Sequence, residues 1–221
     1  MLKRFLQFLL VMVLIPWIIG VTLQAMLLPP VTNFWAARYV DVENSAVSRQ
    51  ELLTAAEAGR RYVSGGLDEM PRSSDERIGF TDQVLSHMQD VRNVFTTVRY
   101  IVIILSLLLI AISAWLIKSE HIKLLGQALR MAAILTFGLV LLLAIFGWLN
   151  FDALFTTMHQ LFFAEGSWTF AYNSLLITTY PLPFWIAMAA TWAAVLVSFC
   201  LIALLVGQLL VSRTKQVAKQ S

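Results

Sequence analysis

The chain has 221 residues, 59% of them hydrophobic and only 13% charged, with a formal net charge of +3. Charged residues make up about a quarter of a typical soluble domain, so a water-soluble globule is excluded. The small positive excess lies at the chain ends and in one short loop, which suits anionic lipid rather than nucleic acid.

Four apolar runs, approximately Phe5–Leu28, Ile101–Ile117, Gly126–Leu149 and Phe184–Val211, are long enough to be helical spans of a hydrocarbon core. A single segment crosses lipid only as a helix, because every backbone polar group must be satisfied internally. The sequence therefore predicts an all-α, polytopic membrane protein with four transmembrane helices. Lys3 and Arg4 precede the first run as they would in a signal peptide. The run is about twice the length of an ordinary signal h-region of roughly 7–15 residues, and the chain continues as LQAMLLPP without an A-x-A site. It is expected to be a retained span, ended by Pro29 and Pro30 and open to kinking at Pro16.

Residues 31–98 are patterned, not linker-like. Ser48-Arg49-Gln50-Glu51 fits a capping box at a helix start. Helix formers continue to Val63, and Ser64-Gly65-Gly66 supplies the stop. A second helix is predicted from near Thr81 through Arg99 into the second span, with Val84, Leu85, Met88, Val91 and Phe95 at helical spacing. His87 and Asp90, three apart, share a side of it. The chain thus divides into a first transmembrane helix (1–30), a small helical extracellular cap (31–98), the second and third transmembrane helices (99–149), a second outer loop (150–183), and a fourth transmembrane helix with its tail (184–221).

Orientation follows from lysine and arginine near the span ends. Lys3 and Arg4, then Lys118, Lys123 and Arg130, then Arg213, Lys215 and Lys219 place both termini and the 118–125 loop in the cytoplasm. Residues 150–183 have no Lys or Arg and belong outside. Residues 31–98 carry seven Arg against ten Asp and Glu, but loops beyond roughly 60 residues translocate largely regardless of charge. His87 and His159 then share the outer side, while His121 lies on the other.

The 150–183 loop is rich in aromatics. Phe151, Leu154, Phe155, Met158, Leu161 and Phe162 form one apolar helix face, flanked by a polar stripe of Asp152, Thr156 and His159. Such a helix suits the membrane interface. Phe162, Phe163, Trp168, Phe170, Tyr172 and Tyr180 are expected to form an aromatic belt at headgroup depth. The belt does not account for His159.

Several chemistries drop out. No GxSxG, HExxH, Walker or Rossmann glycine pattern is present. The one cysteine, Cys200, lies deep in the fourth span, and the spans carry almost no ionisable groups, which argues against a coupled transporter. What remains is His87 and His159, with Asp90, Asp152, Glu165 and Arg92 as supporters. Three readings stand: two unrelated surface histidines, a metal site of two histidines and a carboxylate without close ligand spacing, or an acid/base pair at the membrane surface.

The segment MHQLFFAEGSWTF (Met158–Phe170), followed by YPLPFW (Tyr180–Trp185), resembles the signature of the lipoprotein intramolecular transacylase family, small bacterial membrane proteins. That signature is a His-x-x-Phe-Phe pattern, then Gly-x-Trp-x-Phe, then Tyr-Pro before the last span. SHMQDVR (Ser86–Arg92) resembles the family's other histidine motif, and the four-span plan also matches. One departure is AYNSL at 171–175, where acidic residues are common in the family. The resemblance implies transfer of the sn-2 acyl chain of a diacylglyceryl-cysteine lipoprotein to the α-amine of the same cysteine, giving the lyso form. It implies His87 and His159 as the catalytic pair, no metal and no cofactor. It also implies a diacylated lipoprotein and membrane phospholipid as partners, at the outer face of a bacterial cell membrane. On this reading one histidine takes a proton from the amine, and the pair returns one to the leaving alkoxide. Asp90 or Asp152 would orient an imidazole, and Arg92 would hold developing negative charge or contact a lipid phosphate. The rivals are a chaperone or assembly factor whose cap binds a partner, which predicts that His87 and His159 lie apart and tolerate Gln or Asn, and another outer-leaflet lipid enzyme, which if metal-dependent would lose activity to a chelator.

Overall fold

The computed structural model describes residues 1–220, with side chains through Ser212; the tail cations Arg213, Lys215 and Lys219 lie outside the described side chains. In chain order the helices are α1 (Leu2–Ala25), α2 (Pro29–Tyr39), α3 (Arg49–Ser64), α4 (Asp82–Lys118), α5 (Ile122–Leu149), α6 (Phe151–Phe162), α7 (Leu175–Thr179) and α8 (Leu182–Gln220). Among the described residues the β content is one isolated bridge, Arg72 to Phe80. Helices α1, α4, α5 and α8 are long and apolar enough to cross a membrane. Even the shortest, α1 with 24 residues, reaches about 36 Å at 1.5 Å per residue, past a core of roughly 30 Å.

The chain forms two compact units. One comprises Met1–Leu23, Arg99–Ile145 and Trp192–Ser221. Its core has two clusters. Leu10, Val11 and Leu14 of α1 pack with Leu116 of α4 and Ala128 and Ala132 of α5. Ile18 packs with Ala133, Val140, Leu196 and Cys200. Glycines bring α5 and α8 into backbone contact: a Cβ on Gly126 would stand 2.7 Å from the Gly207 carbonyl oxygen, and one on Gly207 the same distance from that of Gly126. Where the surroundings are as apolar as the helices, such close packing of small residues is a main source of helix association.

The other unit comprises Gln24–Val98 and Phe146–Thr191. Helix α3 begins as its sequence predicts. Ser48 Oγ accepts from Glu51 N, the Glu51 carboxylate accepts from Ser48 N, and Gly65 closes the helix at φ 82°, a left-handed conformation that costs glycine little. Its buried face is Leu52, Ala55, Ala56, Gly59, Tyr62 and Val63. This face packs with Phe80, Val84, Met88, Leu175, Leu176, Tyr180 and Phe184. Each large side chain fully buried there contributes about 1.5–3 kcal/mol.

Two expectations need correction. The first span ends at Ala25, and Pro29 and Pro30 begin a helix instead of ending one. Proline is favoured at the first helical position because the N–H it lacks would be unpaired there anyway. Helix α7 was not predicted either. Its five residues follow an N-cap, Ser174, whose Oγ accepts from Ile177 N. Around it, Leu175 N donates to Glu76 O at 2.7 Å and Asp41 N to Thr178 O at 2.8 Å, tying distant loops together. The predicted helices over 48–63 and 151–162, and the continuous one from Thr81 through Arg99, correspond to α3, α6 and α4.

Candidate active site

His87 sits in the second turn of α4, well before the apolar stretch from Ile101. His159 sits near the end of α6, capped at its start by Asn150 Oδ1 accepting from Ala153 N at 3.0 Å. Each histidine is only 7% exposed. Their ring centroids are 6.1 Å apart, with planes inclined by 23°. Both line a cavity of about 160 Å³, walled mainly by apolar side chains including Met88, Phe155, Trp168, Phe170, Leu176 and Trp185.

The two imidazoles are held differently. His159 Nδ1 donates to the Phe155 carbonyl at 2.8 Å, one helical turn back. That bond fixes the tautomer, so the neutral ring presents Nε2 as an unprotonated acceptor. His87 Nδ1 is buried without a hydrogen-bond partner. Burial first, then the adjacent His159, push His87 down to about 4, against an opposing pull from Asp90. Burial also lowers His159, opposed by the Phe155 carbonyl. His87 therefore remains neutral at pH values where an ordinary histidine is largely protonated, and His159 is biased toward its neutral form in the same direction.

The aromatics of the second loop form the walls of this site. Phe163 lies 4.9 Å from the His87 centroid and 5.4 Å from that of His159. Trp168 lies 4.9 Å from His159, and Phe170 5.6 Å from His87. Tyr180 is buried and donates to Ala56 O at 2.8 Å. Of the six rings expected in an aromatic belt, only Phe162 and Tyr172 are exposed, at 53% and 74%. The other four turn inward because the histidines and the α3 core offer them apolar contact.

The proposed supporters do not join the pair. Asp152 is exposed, and the Phe155 carbonyl already occupies the Nδ1 position that a carboxylate would take. Asp90 acts on His87 only through its charge. Arg92 points away from the cavity: it donates to Leu67 O at 3.1 Å, lies 4.0 Å from the Asp68 carboxylate, and sits 4.8 Å over the Tyr62 ring. Glu165 is exposed. Among the described residues no three of His, Cys, Asp and Glu come close enough together to hold a metal.

The structure adds residues that the sequence patterns did not single out. Arg60 is the basic residue in the cavity wall; its guanidinium pairs with Glu57 and donates to Leu27 O at 3.3 Å. Its place on the α3 face beside Gly59 was the available signal.

Residues 8–185 match the family described as lipoprotein intramolecular transacylase Lit. The chain belongs to this family. Among solved structures, the membrane integral lipoprotein intramolecular transacylase Lit from Bacillus cereus superposes with a TM-score of 0.81 at 15% identity, covering 97% of this chain and 98% of that one. A histidine variant of that protein superposes at 0.70 and 16% identity, covering 98% and 96%. At such identities the likeness establishes the transacylase fold alone. An uncharacterized protein of Aquifex aeolicus (strain VF5) is 29% identical over 143 residues, so the match spans 63% of this chain and 63% of that relative.

Proposed function

We propose that this chain is a membrane transacylase moving the sn-2 acyl chain of a diacylglyceryl-cysteine lipoprotein onto the α-amine of the same cysteine. Family membership supports the reaction class. The observation that carries the site is the pair of buried imidazoles from α4 and α6, 6.1 Å between centroids, in one apolar cavity.

In this reading the substrate supplies the nucleophile. The neutral amine attacks the ester carbonyl, His159 Nε2 takes the proton that the nitrogen sheds, and the histidine pair returns a proton to the departing sn-2 oxygen. His159 is the base because its Nδ1–H is already committed to the Phe155 carbonyl. His87, held neutral by its surroundings, passes the proton on. Amine and ester belong to one molecule, so the cavity has to fold that molecule rather than gather two; good orientation contributes roughly 7–11 kcal/mol to lowering a barrier. Acid/base assistance adds typically about 10²–10⁴-fold. The cavity takes the glyceryl and cysteine head, with the acyl chains leaving it toward lipid. The charge bias of the sequence supports termini in the cytoplasm and histidines at the outer leaflet. No metal or cofactor is invoked.

The test is expression in a bacterium stripped of its native lipoprotein N-acylation, with mass spectrometry of one lipoprotein's N-terminal peptide. Wild type should yield the N-acyl lyso form, and His87→Asn and His159→Asn should not, although both insert. A wild type that leaves the diacylglyceryl peptide unchanged would overturn the reading.

A further inference from the structure

The indole N–H groups of this protein are disposed unequally. Trp17 Nε1 donates to Ser106 Oγ at 2.8 Å, Trp35 Nε1 to Thr191 Oγ1 at 2.9 Å, and Trp192 Nε1 to Thr22 Oγ1 at 3.1 Å. Trp115, Trp148 and Trp185 are more exposed. Trp168 Nε1 is buried and unpartnered, and its ring lines the cavity against His159. Only four buried side-chain polar atoms among the described residues lack a partner, and two of them, Trp168 Nε1 and His87 Nδ1, belong to this cavity.

A buried donor left unpaired forfeits the hydrogen bonds it would make in water. The chain does not relieve that cost, although it holds the segment carrying Trp168 firmly. Ser167 donates its N–H and Oγ–H to Ala164 O at 3.1 and 2.8 Å. Gln83 Nε2, one turn before His87 on α4, donates to Gly166 O at 3.3 Å and Thr169 O at 3.2 Å. The loop is therefore anchored to the helix that carries one histidine, while the indole lies against the other. An indole nitrogen only donates, so the group that would satisfy it is an acceptor, and the cavity its ring lines is where a bound substrate would bring one. The neighbouring cation, Arg60, is already engaged by Glu57 and the Leu27 carbonyl.

Resting on the transacylase reading above, we propose that Trp168 is a catalytic residue whose Nε1–H holds the carbonyl oxygen of the ester under attack. As the amine nitrogen bonds to the carbonyl carbon, the π pair moves onto that oxygen and the indole N–H stabilises it. His159 Nε2 takes the proton from nitrogen. The carbonyl then re-forms, the bond from carbon to the sn-2 oxygen breaks, and that oxygen is protonated by the histidine pair. One amide and one alcohol replace one ester and one amine, with no external reactant. A preorganised donor in an apolar site adds most where charge develops, so its loss falls on turnover rather than on ground-state binding.

The experiment replaces Trp168 with its benzothiophene analogue, which keeps the ring shape and removes the N–H, alongside Trp168→Phe. Purified wild type and variants in lipid nanodiscs receive a synthetic diacylglyceryl-cysteine lipopeptide, and kcat, KM and Tm are measured. The expected result is a kcat lower by about 10²–10³-fold for the analogue, the usual loss for one oxyanion donor, with KM and Tm little changed. An analogue as active as wild type, or one that raises KM at unchanged kcat, overturns the assignment and leaves the transacylase reading standing. A wild type that converts no lipopeptide removes both.

Discussion

Gly59 and Tyr180 meet so closely that one methyl group should test the packing of the cavity wall. A Cβ on Gly59 would stand 2.5 Å from Tyr180 Oη and 3.4 Å from Met88 Cε and Tyr180 Cζ. The near atom is a phenol oxygen fixed by its bond to Ala56 O, on a residue only 8% exposed. Gly59→Ala must therefore push the ring aside. Overpacking of this kind costs about 1–3 kcal/mol, and losing the Tyr180 bond costs about 1 kcal/mol more. Alanine recovers about 1 kcal/mol of helix propensity, leaving a net loss of about 1–3 kcal/mol. Tyr180→Phe alone should cost only about 1 kcal/mol, since the Ala56 carbonyl keeps its place in the helix. The double variant carries the methyl without the offending oxygen, so it should be no less stable than Tyr180→Phe and more stable than Gly59→Ala. Thermal unfolding of the four proteins in one bicelle preparation gives the coupling directly. Additive losses, or a Gly59→Ala protein as stable as wild type, would refute the packing argument.

The remaining predictions concern the helix pair of the first unit and the setting of the histidines. Gly207→Ala should lower Tm, because its Cβ would meet the Gly126 carbonyl at 2.7 Å and Arg130 Cγ at 2.8 Å; Gly138→Ala, with open space around it, should leave Tm unchanged or raise it. Side-chain NMR of labelled histidine should find His87 mainly neutral at pH 5.5, and His159 titrating below the ordinary histidine value near 6.5. Because His87 is lowered to about 4, the unfolded chain binds more protons at this site between roughly pH 6.5 and 4. Stability should then be flat above that window and fall as pH drops through it, with a shallower fall in His87→Asn. Phe163→Ala opens the face shared by both rings; it should raise both histidine pKa values toward the ordinary value and lower turnover, and unchanged titration would show that Phe163 does not keep water from the pair.

The parts of the fold that were legible in the sequence are those whose signals are local. Helix α3 carries its capping box and its left-handed glycine within the segment itself. Helix α6 carries its period in its own twelve residues. Helix α2 was missed because Pro29 and Pro30 have two opposite local meanings, and only the chain's path after Leu28 selects between them. Helix α7 is five residues held largely by bonds to Glu76 and Asp41, which no local pattern encodes. His159 was identifiable because imidazole stands out in an apolar loop, and His87 because the charge bias puts it on the same side of the membrane. The group that orients His159 was not, because a backbone carbonyl has no residue type to find. A carboxylate was expected there only because that role usually leaves a visible side chain.

That substitution of a carbonyl for a carboxylate has a chemical consequence. A carboxylate on Nδ1 would favour imidazolium and raise the pKa of His159 in an apolar cavity, leaving a charged ring at rest. The Phe155 carbonyl fixes the tautomer with a far weaker electrostatic pull, and burial outweighs it. On the proposed mechanism the resting pair is consequently neutral, and charge develops on the imidazoles only while the amine attacks. The α-amine is itself a cation at neutral pH, with a pKa of about 8; entering an apolar space beside two neutral rings disfavours its charge as it does theirs. In the proposed mechanism, the same desolvation that holds the base ready therefore also releases the nucleophile. This accounts for a site with abundant aromatic walls and, among the described residues, no carboxylate hydrogen-bonded to either imidazole. It also explains why placing an aspartate at Phe163 should impair turnover despite bringing a proton acceptor closer: it would charge the histidines before the substrate arrives.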